Sequence, residues 1–232
     1  MALIKLGGIV SDIRGAIGGI VFSRNKSGAI ARQRTVPINP KTALQSAIRA
    51  IIASVSQSWR TATSTAQKAA WAVFGANVDA KNKLGETIKL SGFNQYVKSN
   101  TAAINAGLPA ILDAPVVFTL PGEDSTLAAV VSEAAQTIAV TFDDTLDWVG
   151  EDDAALLVYM GLPQDDSVEF FNGPWRYAGA LLGDAADPPE TGDPVPCSFV
   201  CAAGQKIFTQ AKIIRADGRI SDSFRANIIA SA

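Results

Sequence analysis

The apolar residues change period at Pro109, and no other feature restricts the folds open to this chain so strongly. Over residues 39–108, apolar side chains recur every three or four residues. After Pro109, they fall in strand-length runs between glycine, proline and aspartate clusters. A helical period does not suit a sheet, nor an extended run a helix, so an α+β chain is expected, with an N-terminal hairpin and arm, then helices, then a β-domain.

Three helices are predicted over residues 39–110. In "INPKTALQSAIRAIIASVSQSWR", Asn39 is the expected cap and Pro40 the first helical residue. Leu44, Ile48, Ile51, Ile52, Val55 and Trp59 then share one face, which is expected to be buried. Ser64 and Gln67 match a capping box ahead of Trp71 and Phe74. Ser91 caps a third helix that packs through Phe93, Tyr96, Val97 and Ile104 and stops at Gly107 and Pro109. The polar stretch before it has a possible short hairpin at Leu84-Gly85. Together these read as a small three-helix bundle.

Residues 1–38 are rich in glycine and β-branched residues. "GIVFSR" and "AIARQRTV" flank "NKSG", which predicts a β-hairpin followed by an extended arm. So little apolar mass leaves a lone hairpin marginal, so the arm is expected to order against something else.

Residues 111–232 contain "APVVFTL", "TIAVTFD", "AALLVYMGL", "SVEFFNG", "WRYAGALL", "PCSFVC", "KIFTQAKIIRAD" and "GRISDSFRANII". This many short runs predict a β-sandwich of fibronectin III or immunoglobulin-like pattern, closed by a hairpin at Asp217-Gly218. The immunoglobulin Cys…Trp…Cys spacing is absent. Residues 183–196 read as a long exposed loop.

Charge separates the same two halves. The formal net charge is -2, but residues 1–98 hold 14 Lys and Arg against 3 acids, and residues 99–232 hold 6 against 19. A near-neutral total conceals a dipolar chain. Arg24, Lys26, Arg32, Arg34 and Lys41, with no acid among them, are the strongest functional candidates. They would contact either phosphates or an acidic protein surface, and the alternative is a solvated edge protected by charge.

Other chemistry finds little support. The chain has no histidine, which removes Ser-His-Asp and Cys-His nucleophiles and the commonest general base near neutral pH. The acidic stretch at 143–153 is a candidate for calcium or paired carboxylates, but it lacks the EF-hand alternation and reads better as a solvated loop. The arm's glycines form neither a dinucleotide fingerprint nor a P-loop. Trp59 and Trp71 lie on apolar helix faces, which favours core packing over base stacking. Cys197 and Cys201, taken as lying on one strand, would be roughly 13 Å apart and unable to bridge, so they are expected to be free thiols. Lys5, Asp12 and Arg14 interrupt the apolar N-terminus, so a chain made in the cytoplasm is expected, with no membrane association and no cofactor or metal.

The pieces "GGIVFSRNKSG", "PINPKTALQSAIR", "SQSW", "AQKAAW", "LSGFNQYVKSN", "NGPWRYAG" and "RADGRIS" run in order along almost the whole chain. As a collinear set they resemble the uncharacterised virion structural proteins of tailed bacteriophages and prophages. The resemblance implies a structural component of the particle, not an enzyme, and supplies no catalytic residues. The expected role is a capsid-associated decoration or cement protein, present in multiple copies and docked on major capsid or tail/neck proteins through its basic arm. A head-to-tail connector or tail component is the near alternative. From another class, a nucleic-acid-binding protein would use the basic half on DNA.

Overall fold

A computed structural model describes residues 2–5, 7, 8, 10, 12–35, 39–82 and 84–231. Its three helices and four sheets make an α+β fold.

Strands β1 (Ala2–Ile4), β2 (Gly15–Ile17), β3 (Ile20–Asn25) and β4 (Gly28–Gln33) form one antiparallel sheet in the order β1-β4-β3-β2. β3 and β4 are the expected hairpin. Asn25 pairs with Gly28 across Lys26-Ser27, and the Asn25 side chain accepts from the Ser27 amide at 2.9 Å. The glycine-bearing residues ahead of it, for which no element is predicted, supply two further strands. Local turn chemistry could announce the hairpin but not the partners of its outer edges. Residues 36–38 of the expected extended arm lie outside the described residues.

Helices α1 (Ala43–Thr61), α2 (Thr65–Asn77) and α3 (Gly92–Asn105) follow. α1 starts later than Pro40, because Lys41 takes a left-handed φ of 49° that no helix accommodates. Thr42 is the cap, accepting from the Gln45 amide at 3.3 Å. Asn39 instead accepts from the Lys41 amide at 3.2 Å and from Arg49 at 3.0 Å. The Ser64–Gln67 capping box and the Ser91 cap form as expected. α3 ends at Gly107, with φ 85°, and Leu108 donates back to the Ala103 carbonyl at 2.9 Å. Val55, Trp71, Phe74, Val78 and Tyr96 make the core between the helices. The Trp71 and Tyr96 rings meet edge to face at 5.5 Å, and Trp59 leans on Tyr96 at 5.0 Å. These tryptophans are packing residues. The short hairpin β5 (Asp79–Lys81) with β6 (Thr87–Lys89) forms where Leu84-Gly85 suggested it.

Strands β7 (Ala128–Ser132), β8 (Thr137–Thr141), β9 (Ala155–Gly161), β10 (Trp175–Leu182), β11 (Pro194–Pro196), β12 (Lys206–Ile214) and β13 (Phe224–Ile229) make two antiparallel sheets, β11-β8-β7 and β10-β9-β12-β13. Their inner faces bury Val131, Ile138, Val140, Leu156, Val158, Met160, Ile207 and Ile213 in one core, which is sandwich architecture. Architecture alone does not make it an immunoglobulin-like domain. The outer face of the larger sheet, through Ala155, Leu157 and Ile214, packs on Ala103 of α3. β9 is therefore covered on both faces, which is why its sequence is an unbroken apolar run.

Three predicted strands do not form, the third being "PCSFVC". "APVVFTL", residues 114–120, has no ladder partner among the described residues, and its Val116 is 87 % exposed. "SVEFFNG" is irregular as well. Two unpredicted strands, β7 and β11, bring the total to seven, and β11 forms at the end of residues 183–196, expected to be a loop throughout. The sequence of β11 is Pro-Val-Pro, tolerable because it is an edge strand, where a missing N–H breaks no ladder.

The thiols also depart from expectation. "CSFVC" is a loop after β11, and its turn brings the Cys197 and Cys201 sulfurs to 4.0 Å. Both remain free, as expected. Burial, then the neighbouring Cys201, push the Cys197 thiol well above its ordinary range. Alkylation of Cys197 is therefore expected to be slow at pH 7 and to accelerate about tenfold per pH unit, without levelling off near the free-cysteine value of about 8.5. Peptide mass spectrometry after timed maleimide labelling reads this, with denatured protein as the control.

Among the described residues, no helix is long and apolar enough to cross a membrane.

Candidate docking surface

The five basic candidates are all exposed, and among the described residues none has an ion-pair partner. They do not form one patch. Val21 pairs with Arg32 and Arg24 with Ala29, and side chains alternate along a strand, so Arg24 and Arg32 face opposite sides of the sheet. Lys26 sits in the hairpin turn, Arg34 just past β4, and Lys41 just ahead of α1. The N-terminal sheet also has little core of its own. Ala29 and Ile30 are its buried residues among those described, while Ile17 is 72 % exposed. Its ionic link to the rest of the described residues is Lys5 with Glu86 at 2.8 Å, an exposed pair worth little.

The feature that sequence reasoning misplaced is the first half of α1. Leu44, Ile48 and Ile52, expected in the core, are 68 %, 38 % and 41 % exposed, and Val55 is the first fully buried residue of the helix. The reason is length. α1 has 19 residues and runs about 28 Å, whereas α2 with 13 and α3 with 14 run only about 20 Å. The shorter helices cover the end of α1 that carries Val55 and Trp59. Its other end projects with an apolar stripe on one side and Lys41 and Arg49 beside it.

The acidic half gathers at one end of the sandwich, where the β8–β9 and β10–β11 loops meet. Asp152 accepts from the Ala185 amide at 2.9 Å and ties the two together. Most carboxylates of 143–153 already have work in the fold. Asp143 accepts from the Thr145 hydroxyl and amide, which hold it below the usual carboxylate range. Asp147 and Glu151 both grip Arg215. Among the described residues, no group of three or more potential ligands is arranged for a metal ion.

Next to this acidic end lies an open cleft of about 400 Å3. Its apolar wall includes Pro109, Ile111 and Val116, and its rim carries Asp113, Asp153 and Asp217. The wall is held in place by Asn100, fully buried in α3. The Asn100 side chain donates to the Ile111 carbonyl at 2.9 Å and accepts from the Ile111 amide at 2.8 Å. Ser99 reaches the Gly218 carbonyl at 2.7 Å and fixes the β12–β13 turn that forms the opposite side. Asp217 is paired with Arg219 at 2.6 Å, whereas Asp153 has no ionic partner among the described residues.

A pair of perturbed bases lies elsewhere, Lys98 on α3 and Lys212 on β12 of the larger sheet. Desolvation of its ammonium, then the adjacent Lys212, lower the pKa of Lys98, and desolvation lowers that of Lys212, with Asp222 opposing both. Neither residue lines this cleft. The apolar stripe of α1 with Lys41 and Arg49 beside it, and the acid-rimmed cleft, are therefore exposed surfaces of opposite charge.

No family model, no curated protein and no solved structure matches this chain.

Proposed function

We propose that the chain is a non-enzymatic structural component of a tailed-bacteriophage particle, assembled in the bacterial cytoplasm and carried in the virion. One observation carries this reading. The first half of α1 presents Leu44, Ile48 and Ile52 to solvent beside a thin basic sheet, so an apolar face and a set of unpaired cations await a covering partner. A monomer that acted alone would gain nothing from leaving that face bare. The collinear resemblance to virion structural proteins points the same way.

Within the particle we assign a capsid-associated decoration or cement role, in which the arm and α1 engage major capsid or neck and tail proteins. The sandwich, read as fibronectin III or immunoglobulin-like on its strand number and two-sheet packing, stands outward. The scatter of Arg24 and Arg32 over two faces of the sheet suits insertion between protein neighbours better than tracking one phosphate backbone.

Mass spectrometry of gradient-purified particles is the test. The expected result is this chain at a stoichiometry matching a capsid lattice. A connector or tail role would instead give a copy number of a dozen or a few dozen, and absence from the particle would overturn the reading. Retention of duplex DNA by the full chain near physiological salt would favour the nucleic-acid alternative.

A further inference from the structure

We infer that the bare stripe of α1 docks into the acid-rimmed cleft of a second copy of this chain, so that copies associate head to tail. The inference rests on the assembly reading above, and it identifies one of the partners. Leu44, Ile48 and Ile52 recur every four residues, so they stand in a row along one side of α1. Lys41 and Arg49 lie at the same end of the helix and are exposed. The cleft presents the complement, with an apolar wall of Ile111 and the 87 % exposed Val116 under a rim of Asp113 and Asp153. At about 400 Å3 it has room for more than one aliphatic side chain, since a cavity of roughly 150 Å3 already holds a benzene-sized group.

Charge decides between a second copy arranged head to tail and one arranged α1 against α1. A twofold α1 pair would press Lys41 and Arg49 of both copies into one drying interface, and like charges brought together there are costly. Setting the stripe in the cleft pairs the same cations with Asp113 and Asp153 instead. The split of charge along the chain, 14 bases against 3 acids before residue 99 and 6 against 19 after it, steers the encounter in that sense. Each copy then offers one donor and one acceptor surface. Such a contact closes into a ring or extends along a lattice.

Light scattering coupled to size-exclusion chromatography, on the full chain in low salt, tests this. The wild type is expected to grow with concentration and to dissociate as salt rises. Leu44→Asp with Ile48→Asp blocks the donor, and Asp113→Lys with Asp153→Lys blocks the acceptor. Each double variant alone is expected to be monomeric, while an equimolar mixture forms a 1:1 dimer that grows no further. Because Asp113 also accepts from Gln67 at 2.8 Å, Asp153→Lys alone serves as a second acceptor variant that leaves that bond in place. Self-association of the acceptor variants as strong as that of the wild type would overturn the inference in favour of an α1 pair. A wild type that stays monomeric at every concentration, or a mixture that forms no dimer, would overturn it as well. A monomeric wild type still found in purified particles would leave the proposed function intact and assign α1 to another virion protein.

Discussion

Gly92→Ala is expected to destabilise the helical unit by the upper part of the range of about 1–3 kcal/mol seen when a well-packed contact is overfilled. A Cβ on Gly92 would lie 2.6 Å from the Ala72 nitrogen, 2.7 Å from the Trp71 carbonyl carbon and 2.8 Å from the Ala72 Cα. All three are backbone atoms of α2, so no side-chain rotation relieves the clash. The two helices must separate, and Trp71, fully buried between them, loses its packing against Tyr96. The usual gain of helix propensity from glycine to alanine is small here because Gly92 is the first residue after the Ser91 cap. Urea unfolding followed by tryptophan fluorescence reads the effect as a lower midpoint at unchanged slope. Gly122→Ala, where a Cβ meets nothing within 4 Å, is the control and is expected to be neutral.

Asn100→Ala is expected to cost about 2 kcal/mol, since it leaves two backbone groups of the half-buried Ile111 without partners, and an orphaned group costs about 1–3 kcal/mol when buried. The Asn100 side chain also donates to the Tyr96 carbonyl at 3.1 Å, and the residue is fully buried. The effect extends beyond stability. Ile111 forms part of the cleft wall, so releasing it removes the shape that the α1 stripe is inferred to recognise. Asn100→Ala is expected to weaken self-association under conditions where circular dichroism still reports a folded chain. Asn94→Ala, on the exposed side of the same helix, is expected to change neither property.

The features legible in the sequence are those made by residues close together along the chain. Ser64 with Gln67, Ser91, the Asn25–Gly28 turn and the Asp217-Gly218 hairpin each rest on a hydrogen bond or dihedral spanning a few positions. Lys41 spoiled an equally plausible start at Asn39-Pro40, because a single left-handed residue outweighs a favourable cap. Strand pairing is non-local, so "APVVFTL" had the composition of a strand and no neighbour to pair with, whereas Pro-Val-Pro found an edge.

By itself, the sequence determined that this chain is α+β, that its basic and acidic residues lie in separate halves, and that α1 carries a continuous apolar stripe. Period and charge are properties of order along the chain, and order is what a sequence records. Only the tertiary structure decided that the stripe's first half is bare, because coverage depends on where the shorter α2 and α3 end against α1. Only it decided that Ile111 with Val116, Asp153 and the 215–219 turn converge on one cleft. Those segments meet through Asn100 and Ser99, side chains of one helix that bind backbone groups 11 and 119 positions away.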